Sequence, residues 1–130
     1  MQFKTDWTSD DYYNAEDLNR VELGTSEVAQ LANDLLGLNI QLENPVTNRD
    51  YTRIEFADDL NRVERNIELV RVFEISGLVD MKTSWAVGDP FNFEDANRLE
   101  TNISILHPVL EKNANNLVYS GEFNAGEEVI

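Results

Sequence analysis

The sequence predicts a mainly α protein: a three-helix bundle built from three tandem helix repeats, with extended aromatic linkers and a short C-terminal strand or tail. Three observations carry this expectation. A phrase is written three times, an apolar stripe at helical spacing follows each copy, and helix-start residues precede each stripe. Residues 13–22 read YNAEDLNRVE, residues 55–64 read EFADDLNRVE and residues 91–100 read FNFEDANRLE. Self-similarity of this kind marks a chain assembled from one repeated unit. The shared core is an acidic pair, an apolar residue, Asn-Arg, an aliphatic residue and Glu. It singles out Asn19, Arg20 and Glu22, then Asn61, Arg62 and Glu64, then Asn97, Arg98 and Glu100 as repeat residues. Trp7 and Trp85 each stand twelve residues before the following Asn, whereas the middle copy keeps only Arg49-Asp50-Tyr51, with its Tyr ten residues ahead.

The first element is predicted near 14–36. Leu18, Val21, Val28, Ala32 and Leu35, with Thr25 between, fall on one stripe of an α-helix, as bundle packing requires. Asn14 followed by Asp17 resembles a capping box, and Gly37 stops the helix. The second is predicted near 53–75, from Leu60, Val63, Ile67 and Val70, with Thr52 and Glu55 as its box and a stop before Gly77. The third is predicted near 92–113, from Ala96, Leu99, Ile103, Leu106 and Leu110, with Asn92 and Asp95 at its start and a kink or split turn at Pro108. Each phrase also sets an acid four residues before its Arg (Glu16 and Arg20, Asp58 and Arg62, Glu94 and Arg98), pairs worth about 0.2–0.5 kcal/mol each. The repeats cover about 4–37, 49–76 and 82–113 of a helical domain over 1–116, in which Trp7, Tyr51 and Trp85 cover the helix ends. Asn39-Ile40-Gln41-Leu42 alternates like a strand, and residues 117–130, rich in Gly and Glu, read as an extended or flexible C-terminal segment.

Composition narrows the function. Across 130 residues, 25 Asp and Glu face 10 Lys and Arg, for a net charge of -15. Such a chain repels nucleic-acid phosphates and anionic lipid, so nucleic acid and membrane are excluded as expected partners and basic protein surfaces are favoured. No apolar run approaches the roughly 18–20 residues of a membrane span, and the opening residues lack a signal-peptide core. With no Cys, disulfides, thiolate metal sites and cysteine nucleophiles are excluded. The carboxylates are plentiful, yet none sits in an apolar pocket signature, and helix capping explains the recurrent ones. His107 is the single His and reads as a partly exposed helix residue without a metal-ligating partner. Asp6, Asp10 and Asp11 do not follow a calcium loop, and Gly121 and Gly126 bracket acids and not a phosphate-binding Lys. No catalytic, metal or cofactor residue is therefore expected, and no enzyme. Three identical Asn-Arg pairs point to a shared structural role over a binding site: either the Arg is a surface ion-pair partner and the Asn a polar neighbour of the stripe, or the Asn side chain bonds the backbone of an adjacent aromatic linker and the Arg braces it.

The Lys-Thr-x-Trp preamble, the acidic stretch with Leu-Asn-Arg-Val-Glu, and the Ser-Gly-Glu-Phe-x-x-Gly-Glu ending at 120–127 together resemble proteins of tailed phages and prophages of Gram-positive bacteria. That family consists of virion components of the tail tip, baseplate or tail fibre. The resemblance spans residues 4 to 127 and implies an adaptor or assembly role in a virion put together in the bacterial host cytoplasm. It implies other tail or baseplate proteins as partners, and self-association, and carries no active-site residues. Two further readings stand beside it. One is an acidic mimic of DNA that inhibits a host nuclease or restriction system. The other is a carbohydrate-binding host-recognition module using Trp7, Trp85 or Tyr12 as stacking platforms.

Overall fold

The computed structural model describes residues 1–50 and 55–120, with side chains as far as Asn113. It is a mainly α three-helix bundle: α1 spans Ala15–Leu36, α2 spans Ala57–Leu69 and α3 spans Phe93–Ser120. Among the described residues no strand forms, so 39–42 is coil despite its alternation.

Local chemistry sets the helix starts. Asn14 accepts from the backbone N–H groups of Glu16 and Asp17, and the Asp17 carboxylate accepts from the Asn14 N–H in return. Asn92 and Asp95 repeat the arrangement at α3. Both boxes satisfy amides that a helix start leaves unpaired. α2 departs from expectation. It begins at Ala57, its cap is Phe56, and the residue that closes the start is Asp59, whose carboxylate accepts the Phe56 N–H at 2.9 Å. Phenylalanine has no acceptor, so only that half of the box is made. Thr52, expected as the cap, lies outside the described residues, as does Tyr51.

The helix ends differ in kind. Gly37 closes α1 in the left-handed region (φ 67°), a conformation that costs glycine little, and its N–H reaches the Asn33 carbonyl at 3.0 Å. α2 ends at Leu69 and not near 75. Val70, Val72 and Ile75 are β-branched and lose side-chain freedom in a helix, and Val70 and Ile67 are already buried. α3 corrects two expectations. It continues through Pro108 to Ser120 with no last turn split off, so residues 117–120 are helical and not extended; 121–130 lie outside the described residues. Pro108 faces outward while Leu106 and Leu110 on either side are fully buried, so packing holds the helix through a residue that supplies no N–H.

The core is one cluster. Leu18, Val21, Val28 and Ala32 of α1 meet Val63, Ile67 and Val70 of the α2 segment and Leu99, Ile103, Leu106 and Leu110 of α3. Leu35 and Leu60, expected in the stripe, are half-buried at its margin. Thr25 fills its gap by donating its hydroxyl to the Val21 carbonyl at 2.8 Å.

The linkers are not passive spacers. Each crosses from one helix to another. The first, residues 1–14, lays Phe3 against Gly24 of α1 and then pairs Trp7 with Asn97 of α3. The second, 37–56, pairs Glu43 with Asn66 of α2 and Arg49 with Asn19 of α1. The third, 70–92, pairs Val79 with Asn102 of α3 and Trp85 with Asn61 of α2. Every linker thus bridges the helix that follows it and the helix before that one, and the first linker closes the circuit onto the last helix.

Replacing Pro108 by Ala restores a donor opposite the Ser104 carbonyl in an already helical segment. Pro108→Ala is expected to raise stability, by as much as ~3 kcal/mol. Thermal and denaturant unfolding followed by circular dichroism check it, and an unchanged midpoint would show that the strain is absorbed elsewhere.

Candidate functional site: a ring of buried carboxylate clasps

The residues singled out by the repeat assemble into three equivalent polar units, one at each helix–helix seam. Asn is the first component. Asn19 takes the Arg49 N–H on its oxygen at 3.0 Å and donates its amide to the Arg49 carbonyl at 2.9 Å. Asn61 does the same to Trp85 (2.7 and 3.1 Å), and Asn97 to Trp7 (2.7 and 3.1 Å). An amide side chain offers one acceptor and two donors, so it can satisfy both polar groups of one extended residue. A strand in a sheet finds these partners on a neighbouring strand. Here the helix supplies them.

Glu is the second component and lies deeper. Glu64 and Glu100 are fully buried and Glu22 nearly so. Glu100 accepts from the Lys4 N–H (2.9 Å), the Trp7 indole N–H (3.5 Å) and two nitrogens of Arg20 (2.8 and 2.6 Å). Glu64 accepts from the Lys82 N–H (2.7 Å), the Trp85 indole N–H (2.5 Å) and two nitrogens of Arg98 (both 2.8 Å). Glu22 accepts from the Val46 N–H (3.1 Å), from Arg62 (2.6 and 3.1 Å) and from the Arg49 guanidinium. Each carboxylate on one helix is therefore met by the Arg of the next helix and by the linker between them. Removing a carboxylate from water is costly unless its oxygens are fully used, and bidentate Arg pairing with two further N–H donors uses them.

The pairing follows a direction round the bundle. Arg20 of α1 reaches Glu100 of α3, Arg62 of α2 reaches Glu22 of α1, and Arg98 of α3 reaches Glu64 of α2. Among the described residues the expected pairs of Glu16 with Arg20, Asp58 with Arg62 and Glu94 with Arg98 do not form, and a tighter set takes their place. Arg20 and Arg98 also bind Asp17 and Asp95, three residues back, so each helix-capping carboxylate steadies the guanidinium that crosses the seam. The carboxylates hold the Arg20, Arg62 and Arg98 guanidinium groups above their ordinary value, each chiefly through the hydrogen bond to Glu100, Glu22 or Glu64.

The middle unit shows how the pattern tolerates change. Arg49 stands twelve residues before Asn61, the spacing of Trp7 and Trp85, and it occupies their place. Its guanidinium donates to Glu22 where the other units present an indole N–H, and reaches Glu55 as well. The missing Trp is thus replaced by another buried donor. Lys82 lies over the Trp85 ring at 3.8 Å and Lys4 over Trp7 at 4.9 Å, which covers the outer indole faces with charge.

Three clasps were not foreseen from the sequence. Asn66 brackets Glu43, Asn102 brackets Val79, and Asn33 brackets Ile40, each through backbone N–H and carbonyl. Two of them carry a signal. Read two residues beyond its Glu, the repeat phrase ends in Asn66 and Asn102 in copies two and three, and in Gly24 in copy one. Gly24 is where the Phe3 ring seats, and a Cβ there would collide with it. His107 also departs from expectation: it is buried, edge-on to Phe3, with Nε2 3.0 Å from Glu27.

At the helix starts an aromatic run joins Trp7, Tyr13, Phe91 and Trp85. Tyr13 and Phe91 hold equivalent repeat positions, and Glu55 holds the third. Among the described residues the buried Tyr13 hydroxyl has no hydrogen-bond partner, and burial pushes its pKa far up. A cleft of about 360 Å³ beside it is lined by Tyr13, Phe56, Leu60, Trp85, Val87 and Phe91 among others. Trp7 and Trp85 are only 6% and 5% exposed, so neither can serve as a sugar-stacking platform; Tyr12 stays exposed. Among the described residues no group of three or more His, Asp or Glu is placed to hold a metal ion, and no helix is long and apolar enough to cross a membrane. The chain matches no family model, no curated protein and no solved structure.

Two substitutions at position 49 probe the donor equivalence. Arg49→Trp, which supplies the indole of the other units, is expected to keep the fold within about 1 kcal/mol of the parent, because the Asn19 clasp on the backbone and the Arg62 pairing with Glu22 both remain. Arg49→Ala removes a buried donor and is expected to cost about 3 kcal/mol. Equal losses in denaturant unfolding would show that position 49 is not a Trp-equivalent donor. Tyr13→Phe deletes an unsatisfied buried hydroxyl and is expected to gain about 1 kcal/mol in the same assay.

Proposed function

We propose that this protein is a non-enzymatic structural component of a phage virion, a small adaptor in the tail tip, baseplate or tail fibre. The observation that supports it most is the destination of the charged repeat residues. Glu22, Glu64 and Glu100, the buried carboxylates best placed for acid–base chemistry, are each held by an Arg and by linker donors, an arrangement that fixes geometry. A rigid block whose charged repeat residues are all engaged with one another suits assembly.

Charge supports the same reading. Lys4, Arg20, Arg49, Arg62, Arg65, Arg71, Lys82 and Arg98 all have carboxylate partners within the fold. Asp10, Glu16, Asp58, Glu94 and Glu111 face solvent. The outward field is therefore acidic, and it suits docking on basic protein surfaces. That same one-signed surface favours a second reading, an acidic DNA mimic that occupies the basic groove of a nuclease.

Mass spectrometry of purified virions tests the first reading: the protein is expected in the particle. A chain lacking residues 121–130 is expected to keep its helical circular dichroism and lose incorporation. Absence from particles, together with tight binding to a nuclease that collapses as salt rises, would replace the adaptor reading with the inhibitor.

A further inference from the structure

We infer that residues 1–8 form an exchangeable arm, and that the seat on α3 which receives it also accepts the same arm from a second copy of this chain. The inference is independent of where the protein works.

The arm's polar contacts are almost wholly remote. Its backbone N–H groups at Lys4 and Trp7, the Trp7 carbonyl and the Trp7 indole all bond to Asn97 and Glu100, at least 90 residues away. The stretch that joins the arm to α1 is held differently. Thr8 donates its N–H and hydroxyl to Asp11, Asp11 returns its N–H to the Thr8 carbonyl, and Asp10 donates to the Thr8 hydroxyl. Lys4 reaches Asp6 and Asp11 in the same stretch, so among the described residues no hydrogen bond or ion pair ties 8–12 to any helix. These residues are exposed, Tyr12 at 91%. The stretch is a self-contained turn between two anchored segments, the anatomy of a hinge.

The other two linkers are anchored differently. Residues 37–56 and 70–92 each run from the end of one described helix to the start of the next, so both ends are fixed within the bundle. Residues 1–8 lead into α1 through the hinge. An arm from a neighbouring copy would make the same bonds to Asn97 and Glu100, and its Phe3 would meet the same Gly24 and His107. Exchange therefore leaves the contact set unchanged, which is the condition for swapping an element between protomers. What holds the arm at home is proximity: a short tether gives an effective concentration in the millimolar range, which crowded assembly or a strained hinge can overcome.

The test is a hinge-shortened full chain lacking Ser9 and Asp10. Its own arm no longer spans from α1 to Asn97 without strain, so it is expected to run as a dimer or larger species in size exclusion with light scattering, with Trp7 fluorescence as buried as in the parent. Adding Asn97→Ala is expected to return it to monomer. A folded, monomeric hinge-shortened chain at its highest soluble concentration overturns the proposal. So does an oligomer that persists with Asn97→Ala. Should the shortened chain fail to fold, the intact protein decides the matter. Tagged and untagged copies are unfolded and refolded together at high concentration, then captured by the tag. Co-capture that disappears in Trp7→Ala copies supports the exchange; no co-capture, or co-capture indifferent to Trp7, overturns it.

Discussion

A buried carboxylate must be met by donors, and no helix can meet its own. Arg20 and Glu22 are two residues apart on one helix and face different directions, as do Arg62 with Glu64 and Arg98 with Glu100. Each Glu is therefore satisfied only by the Arg of the next helix and by the linker lying in the seam. This requirement sets the packing order of the helices, the path of the linkers and the burial of the indoles. The apolar stripe supplies most of the driving force, but a stripe alone would accept several arrangements. The carboxylates leave one.

Much of this organisation could be read from the residues. The threefold phrase, the helical stripes and the Asn caps at α1 and α3 each rest on local chemistry, and local chemistry was sufficient. The failures were non-local or competitive. Helix α2 is shorter than its pattern because Val70, Val72 and Ile75 after Leu69 are β-branched and the start is closed by Asp59 on Phe56. Pro108 splits no last turn from α3 because the buried side chains on both sides outweigh one missing donor. His107 is buried because Phe3 and Glu27 arrive from distant parts of the chain. That a repeated Asn-Arg serves the framework follows from its repetition. That Asn97 holds Trp7 and Asn19 holds Arg49 depends on how the circuit closes, which no spacing within one repeat discloses.

The departures among the three units are instructive because each keeps its physical role. Arg49 substitutes for an indole by presenting a buried N–H to the same carboxylate. Gly24 substitutes for the lower asparagine by admitting an aromatic ring where the other helices bracket a backbone. Glu55 stands where Tyr13 and Phe91 stand and turns toward Arg49. Side chains change, while the demand for a donor at the carboxylate and a filled seam persists. This is the behaviour of a framework, and it accords with the adaptor role proposed above.

The head-to-tail geometry of the seams makes the three units interdependent. One unit by itself carries an acid, a guanidinium, an arm and a berth, none of which fit each other. Two units side by side still leave one of each unmatched. In this chain the three units together complete the circle, each acid closing only on the guanidinium of the unit that follows it.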